Sequence, residues 1–272
     1  MLQVILLPLL AVFGGLGGFF LRRWELAAAF EESGLAIPWT APTLALIALS
    51  VILAAAFALL CRGSRHELKT YGDAFSAPGN LAYMVIAAVA AAALLLAGFY
   101  GLRTELTGGQ PGLLRLLLYA MCVAAFVSIL IIIPNNFRAK GRQYSLTLLL
   151  PAYACCLWLV TAYQQRAADP VVLDYVYELF AIICTLLALY FTAGFSFGKA
   201  KVWRCAFFCL LSVYFSIVTM ADGHDLSTRL LFLFSILYQL ANVTVLLHHA
   251  FVKGPIPTPD ETNNTQEVTP DE

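Results

Sequence analysis

In an almost wholly apolar sequence, Ser235, Gln239 and Asn242 stand at spacing i, i+4, i+7, which places them on one face of a helix. A primary amide in hydrocarbon needs hydrogen-bond partners, so this face must meet protein or water rather than acyl chains. The preceding apolar stretch repeats the spacing with Ser212, Ser216 and Thr219. A lone hydroxyl can bond back to its own helix. Two polar faces on consecutive antiparallel segments carry more weight than either alone. Two readings follow. The faces are helix–helix glue, at about 0.6 kcal/mol per bond, or they bind a small polar solute or cation.

A second group is acidic. Asp174 and Glu178 are i, i+4, and Thr185 and Thr192 continue their face. An intramembrane carboxylate is a functional hypothesis by default. Residues 179–197 can span alone, however, which would leave Glu178 at the interface. The segment Asp222-Gly223-His224-Asp225 could bring further acids and an imidazole to the same mouth. Such groups can hold a divalent cation, but the spacing matches no standard metal motif, and no metal ligand is assigned. Convergence of Asp174, Glu178, Asp222, His224 and Asp225 would favour metal binding or catalysis. His248 and His249 read as interfacial side chains that snorkel to water. With no histidine in mid-run, axial haem ligation is not supported, and no cofactor is implied. The seven cysteines form no CxxC and read as small buried hydrophobes.

The elements that must position these residues are legible from composition. Hydrophobic residues make up 61% of the 272, charged residues 12%, and mean hydropathy is +0.82. Soluble domains carry about 25% charged residues, so a conventional globular enzyme is excluded. The zero net charge gives no basic signal for nucleic acid. Apolar runs cover 2–21, 42–61, 81–101, 113–133, 145–164, 174–197, 203–221 and 230–252. Each is close to the ~20 residues that cross ~30 Å of hydrocarbon as a helix. They are continuously apolar rather than alternating, which favours helices over a barrel. The predicted fold is an all-α integral membrane protein, a bundle of about eight transmembrane helices with no soluble domain. It occupies 1–253, and 254–272 forms a disordered acidic cytoplasmic tail rich in Pro, Thr and Asn.

Arg62, Arg65, Lys69, Arg138, Lys140, Arg142, Lys199, Lys201, Arg204 and Lys253 fall on one side of this topology. Arg22, Arg23, Arg103, Arg115, Arg166 and Arg229 fall on the other. The richer side is expected to be cytoplasmic, with both termini inside a cell (inner) membrane. Arg22 and Arg23 dissent, because they lie on the expected outside. The first run lacks a basic n-region and reads as a retained helix rather than a signal peptide. Within it Gly14 and Gly18 have GxxxG spacing, which predicts close packing against another helix. Pro151 should kink the fifth run or free a carbonyl. The connection 134–142 carries three cations beside Phe137, which would suit anionic headgroups.

The glycine-rich opening, with Leu21-Arg22-Arg23-Trp24-Glu25-Leu26 and Ala29-Phe30-Glu31, resembles uncharacterised bacterial multi-span membrane proteins. The resemblance covers residues 1–45 and carries over no activity and no site. The favoured expectation is a permease or transport-accessory protein with a polar cavity between the sixth, seventh and eighth runs. Gln239, Asn242, Ser235, Ser212, Ser216 and Glu178 would bind a small polar solute or cation, and no residue is assigned a catalytic role. The rivals are a non-catalytic sensor or assembly subunit docking an unidentified protein, and a membrane enzyme acting on a lipid-linked substrate. Apart from these, membrane lipids are the expected partners, and no nucleic acid is. A water-filled cavity would favour transport, and a dry packed seam would favour scaffolding.

Overall fold

The computed structural model describes residues 2–30, 37, 39–63, 66–108, 112–138, 145–167 and 171–254. The expected tail from 255 onward and the loop cations Lys140 and Arg142 lie outside these residues. The elements are α1 (Leu2–Ala28), α2 (Ala41–Leu60), α3 (Tyr71–Phe75), α4 (Leu81–Thr107), α5 (Leu113–Phe137), α6 (Ser145–Arg166), α7 (Val172–Gly194), α8 (Val202–Thr219) and α9 (Leu226–His248). All but α3 are long and apolar enough to cross a membrane, and the described residues contain no strand. The chain is therefore an all-α bundle of eight candidate spans.

Local chemistry sets the helix starts. Pro42 stands in the first turn of α2, where a missing N–H costs nothing. Asn80 caps α4 by accepting the Tyr83 N–H, and Asp225 caps α9 by accepting the Ser227 N–H. Gly198, at φ +68°, makes the left-handed turn between α7 and α8. The helices overrun the apolar runs in several places. α1 continues to Ala28 and carries Arg22 and Glu25 with it. α5 continues through Pro134 and takes Asn135 and Asn136 out of the expected loop. Polar residues at these ends are held by protein partners, so hydropathy alone stops short of the true ends.

α8 and α9 form the centre of the bundle, with 67% of each span buried, against 28% for α1 and 22% for α2. α7 and α1 flank α8, while α4 flanks α9. α5 and α6 complete the wall between α4 and α7, and α2 leans mainly on α1. Glycine makes the α1 contacts close. A Cβ on Gly18 would lie 2.6 Å from Val218, one on Gly15 would lie 2.9 Å from Ile217, and one on Gly14 would lie 2.6 Å from Leu53. The expected close packing of Gly14 and Gly18 is present, with α2 and α8 as the two partners. Ser50 on α2 and Tyr214 on α8 add a hydroxyl pair at 2.8 Å.

Candidate functional site: a polar seam between two closed ends

The polar faces read from the sequence meet inside the bundle. Gln239, Ser235, Ser212 and Ser216 are completely buried, and Asn242 is 1% exposed. Both amides sit near the middle of α9 and point away from lipid. Their partners differ from the expected Ser212 and Ser216. Gln239 Oε1 accepts from the Cys209 thiol of α8 at 3.3 Å. Ser212 pairs with Thr185 of α7 at 2.7 Å, and Ser235 donates to its own helix at Leu231 O. Thr192 faces Cys205 at 3.4 Å. Beyond acting as small hydrophobes, Cys205 and Cys209, at spacing i, i+4, share the α8 face that looks into the seam.

Several polar atoms in the seam make no hydrogen bond to a neighbouring helix among the described residues: Gln239 Nε2, Asn242 Nδ2 and Oδ1, and Ser216 Oγ. The Tyr238 hydroxyl, four residues back on the same helix, interacts with the Asn242 amide as a hydrogen-bond partner, so what Asn242 lacks is a bond to a neighbouring helix. Buried polar atoms are paired in the great majority of cases, so each exception asks for a physical reason. Among the described residues the seam is closed around both amides, Gln239 being fully buried and Asn242 1% exposed.

One end of the seam is closed by ions. Arg22 is fully buried on α1. It donates to Asp222 Oδ1 at 2.8 Å, Glu25 Oε2 at 2.7 Å, Leu173 O at 3.1 Å and Asp174 O at 2.6 Å. Four of its five N–H groups are thereby engaged. The guanidinium also lies 5.2 Å from the centre of the Tyr177 ring. Beside it, Arg166 meets Asp174 at 3.1 Å and Glu178 at 3.5 Å. Glu178 is 6% exposed, so its side chain is packed among the helices of the bundle. The Thr219 hydroxyl donates to Asp222 Oδ2 at 2.9 Å, which requires His224 Nε2, at 3.0 Å, to donate to Thr219. His224 Nδ1 then faces Glu178 Oε1 at 4.0 Å. Burial pushes the His224 pKa below its ordinary value, and nearby Arg166 acts in the same direction against the raising effect of Asp222.

Asp174, Glu178, Asp222 and His224 thus converge as the sequence suggested, while Asp225 is used as the α9 cap. What the carboxylates face are guanidinium groups. Among the described residues no group of three or more His, Cys, Asp or Glu side chains is placed to hold a metal ion. Arg22, Glu25 and Arg166 join this cluster without belonging to any of the polar faces that helical spacing picks out. The signal for the first two was present: Arg22 and Glu25 are i, i+3 at the end of a lipid-length helix, and Arg22 broke the charge asymmetry.

The other end is closed by α3. Thr70 and Asp73 form a reciprocal capping box that starts this short helix. Tyr71 and Phe75 insert beneath the bundle, with Phe75 edge-on to Phe195 at 5.4 Å. Asn136 Nδ2 donates to Tyr71 Oη at 3.0 Å and Tyr83 Oη at 2.8 Å. Burial holds the Tyr71 phenol well above its ordinary pKa, hence neutral. His249 does not snorkel. It is 3% exposed, and its Nε2 lies 2.8 Å from Ser76 O, tying α9 to the segment after α3. Just beyond, a cavity of about 330 Å³ lined by Ser76, Asn80, Thr244 and His249 reaches to within one turn of Asn242 along α9.

No protein-family model matches the chain, and searches of curated proteins and of solved structures return no match.

Proposed function

We propose that the chain is a permease-type membrane protein, captured closed, whose seam between α7, α8 and α9 binds a small polar solute during transport. The observation that carries this reading is the pair of mid-span amides with unpartnered atoms, Gln239 and Asn242. Helix–helix glue would leave them bonded. Two NH₂ donors, one amide oxygen and one hydroxyl match a small neutral solute with at least two acceptors and one donor, such as a polyol or an amide. A bare cation fits less well, because both NH₂ groups would face it.

The ends of the seam supply the gates. The Arg22–Glu25–Asp222 cluster, oriented outward by the positive-inside asymmetry, would have to separate α1 from the α8–α9 connection. The α3 plug would have to leave Asn136 and Tyr83. Glu178 stands beside the first gate, where two guanidiniums face four carboxylates, and its carboxylate would link a proton to gate opening. The closed seam favours the rival reading of a scaffold subunit; the unpartnered amides weigh against it.

Stopped-flow light scattering of proteoliposomes under inward gradients of glycerol, urea and glycinamide tests the proposal. Permeation above empty liposomes, lost in Asn242→Ala while the variant purifies as wild type, is expected. Traces identical to empty liposomes for every solute would count for the scaffold.

A further inference from the structure

At the His249 end of the bundle a groove of about 480 Å³ opens on the lipid-facing side between α6 and α7. Its walls are aromatic and apolar: Tyr153 from α6, Tyr190 and Phe191 from α7, and Phe197 from the turn that follows. Tyr153, Tyr190 and Phe197 are each about half exposed. Gly194 contributes no side chain, and a Cβ there would meet only Lys199 O, at 3.4 Å, so the groove keeps its width by sequence rather than by backbone strain.

Two cations stand at the mouth. Lys199 and Lys201 both line the groove and are exposed, and among the described residues neither meets a carboxylate within 4.0 Å. Lys201 is also the N-cap residue of α8, and no side chain caps that helix start. Its first N–H groups and the positive end of the helix dipole therefore add to the two ammonium charges. An aromatic and apolar slot thus ends in two lysines that meet no carboxylate among the described residues, at the turn joining two candidate spans, where tyrosines and cations of a membrane protein meet the headgroups.

From this juxtaposition we infer that the α6–α7 groove is a binding site for one anionic phospholipid, its acyl chain against Tyr190, Phe191 and Phe197 and its phosphate on Lys199 and Lys201. A zwitterionic lipid would fill the slot equally well but would bring its own cation to the lysines. Charge complementarity therefore selects the anionic headgroup. The site is separate from the seam, and it stands or falls independently of the transport reading.

Native mass spectrometry of the delipidated protein in dodecyl maltoside tests it, with phosphatidylglycerol and phosphatidylcholine of identical acyl chains at equal ratios. One phosphatidylglycerol should survive activation that strips phosphatidylcholine. Lys199→Gln with Lys201→Gln should weaken its affinity by roughly tenfold or more. Lys69→Gln, which removes an 81% exposed cation at the same end, should change nothing. Gly194→Leu should reduce retention of both lipids by narrowing the slot. Glycerol phosphate in excess should not displace the lipid. Equal retention of the two lipids, a double variant indistinguishable from Lys69→Gln, or displacement by glycerol phosphate would each overturn the assignment. Both lysines are exposed, so loss of fold does not confound the double variant.

Discussion

Arg22 and Asp222 are 200 positions apart in sequence and 2.8 Å apart in space, with Arg22 fully buried. This pair fastens the first span to the α8–α9 connection. Removing one partner of a buried pair leaves the other charge without compensation, and the usual cost is ~3–5 kcal/mol. Arg22→Met should therefore destabilise strongly, since Glu25 and Asp222 both lose their cation. The double variant Arg22→Met, Asp222→Asn should recover part of that loss. Thermal unfolding in micelles, arranged as a double-mutant cycle, reads the coupling; additive losses would show that the pair is not a unit.

Asn242 and Ser212 should respond oppositely to apolar replacement. Asn242 makes no hydrogen bond to another helix, and its polar neighbour is the Tyr238 hydroxyl of its own helix, so Asn242→Leu removes a poorly satisfied buried amide and should raise stability by ~1 kcal/mol. Ser212 is bonded to Thr185, so Ser212→Ala should lower it by about 0.6 kcal/mol. A destabilised Asn242→Leu protein would identify the amide as glue.

His224 should make stability fall with acid. In the folded state burial holds its pKa below the ordinary imidazole value. Above that ordinary value neither state binds the proton, and stability is unaffected. As pH falls from there toward the folded pKa, the unfolded chain binds the proton first and folding loses free energy. The difference in melting temperature between wild type and His224→Gln, scanned downward from pH 7.5, isolates this group from the neighbouring carboxylates. A difference that does not change with pH would contradict the assignment.

Glycines of α1 should divide by the face they occupy. Gly15→Leu and Gly18→Leu drive side chains into Ile217 and Val218, and overpacking typically costs ~1–3 kcal/mol. Gly17→Leu would meet only Leu49, 4.0 Å from its Cβ, and should be tolerated. Yield and monodispersity after extraction report the contrast; equal behaviour of the variants would mean α1 is not seated by close approach.

The sequence carried the eight spans because lipid imposes one length and one composition on every crossing helix. It carried the burial of Gln239 and Asn242 because helical spacing and mid-span depth leave an amide no other course. It did not carry the partners of those amides: Cys209 reaches Gln239 only because α8 and α9 settle at a particular relative height. Nor did hydropathy find α3, whose five residues lie in a polar stretch and are marked only by the Thr70-x-x-Asp73 box. Arg22 looked like a surface charge because its acceptors, Asp222 and the carbonyls of Leu173 and Asp174, come from remote parts of the chain. Asn136 looked like a loop residue because Pro134 suggests a break; the helix continues through that proline and delivers the amide to Tyr71 and Tyr83.

The most direct measurement of whether the seam opens is the aqueous reactivity of position 242, since the residue is 1% exposed in the closed conformation. In a background with the seven native cysteines replaced, Asn242→Cys would be treated in sealed vesicles with a membrane-impermeant methanethiosulfonate reagent from each side. The expected result is modification within minutes from at least one side, abolished when residues 22 and 222 are joined by an engineered cross-link that holds the Arg22 end shut, or when α3 is tethered to α9. Absence of modification from both sides over hours, in protein that reacts fully once unfolded, would show that the seam stays dry and that the bundle is a scaffold rather than a permease.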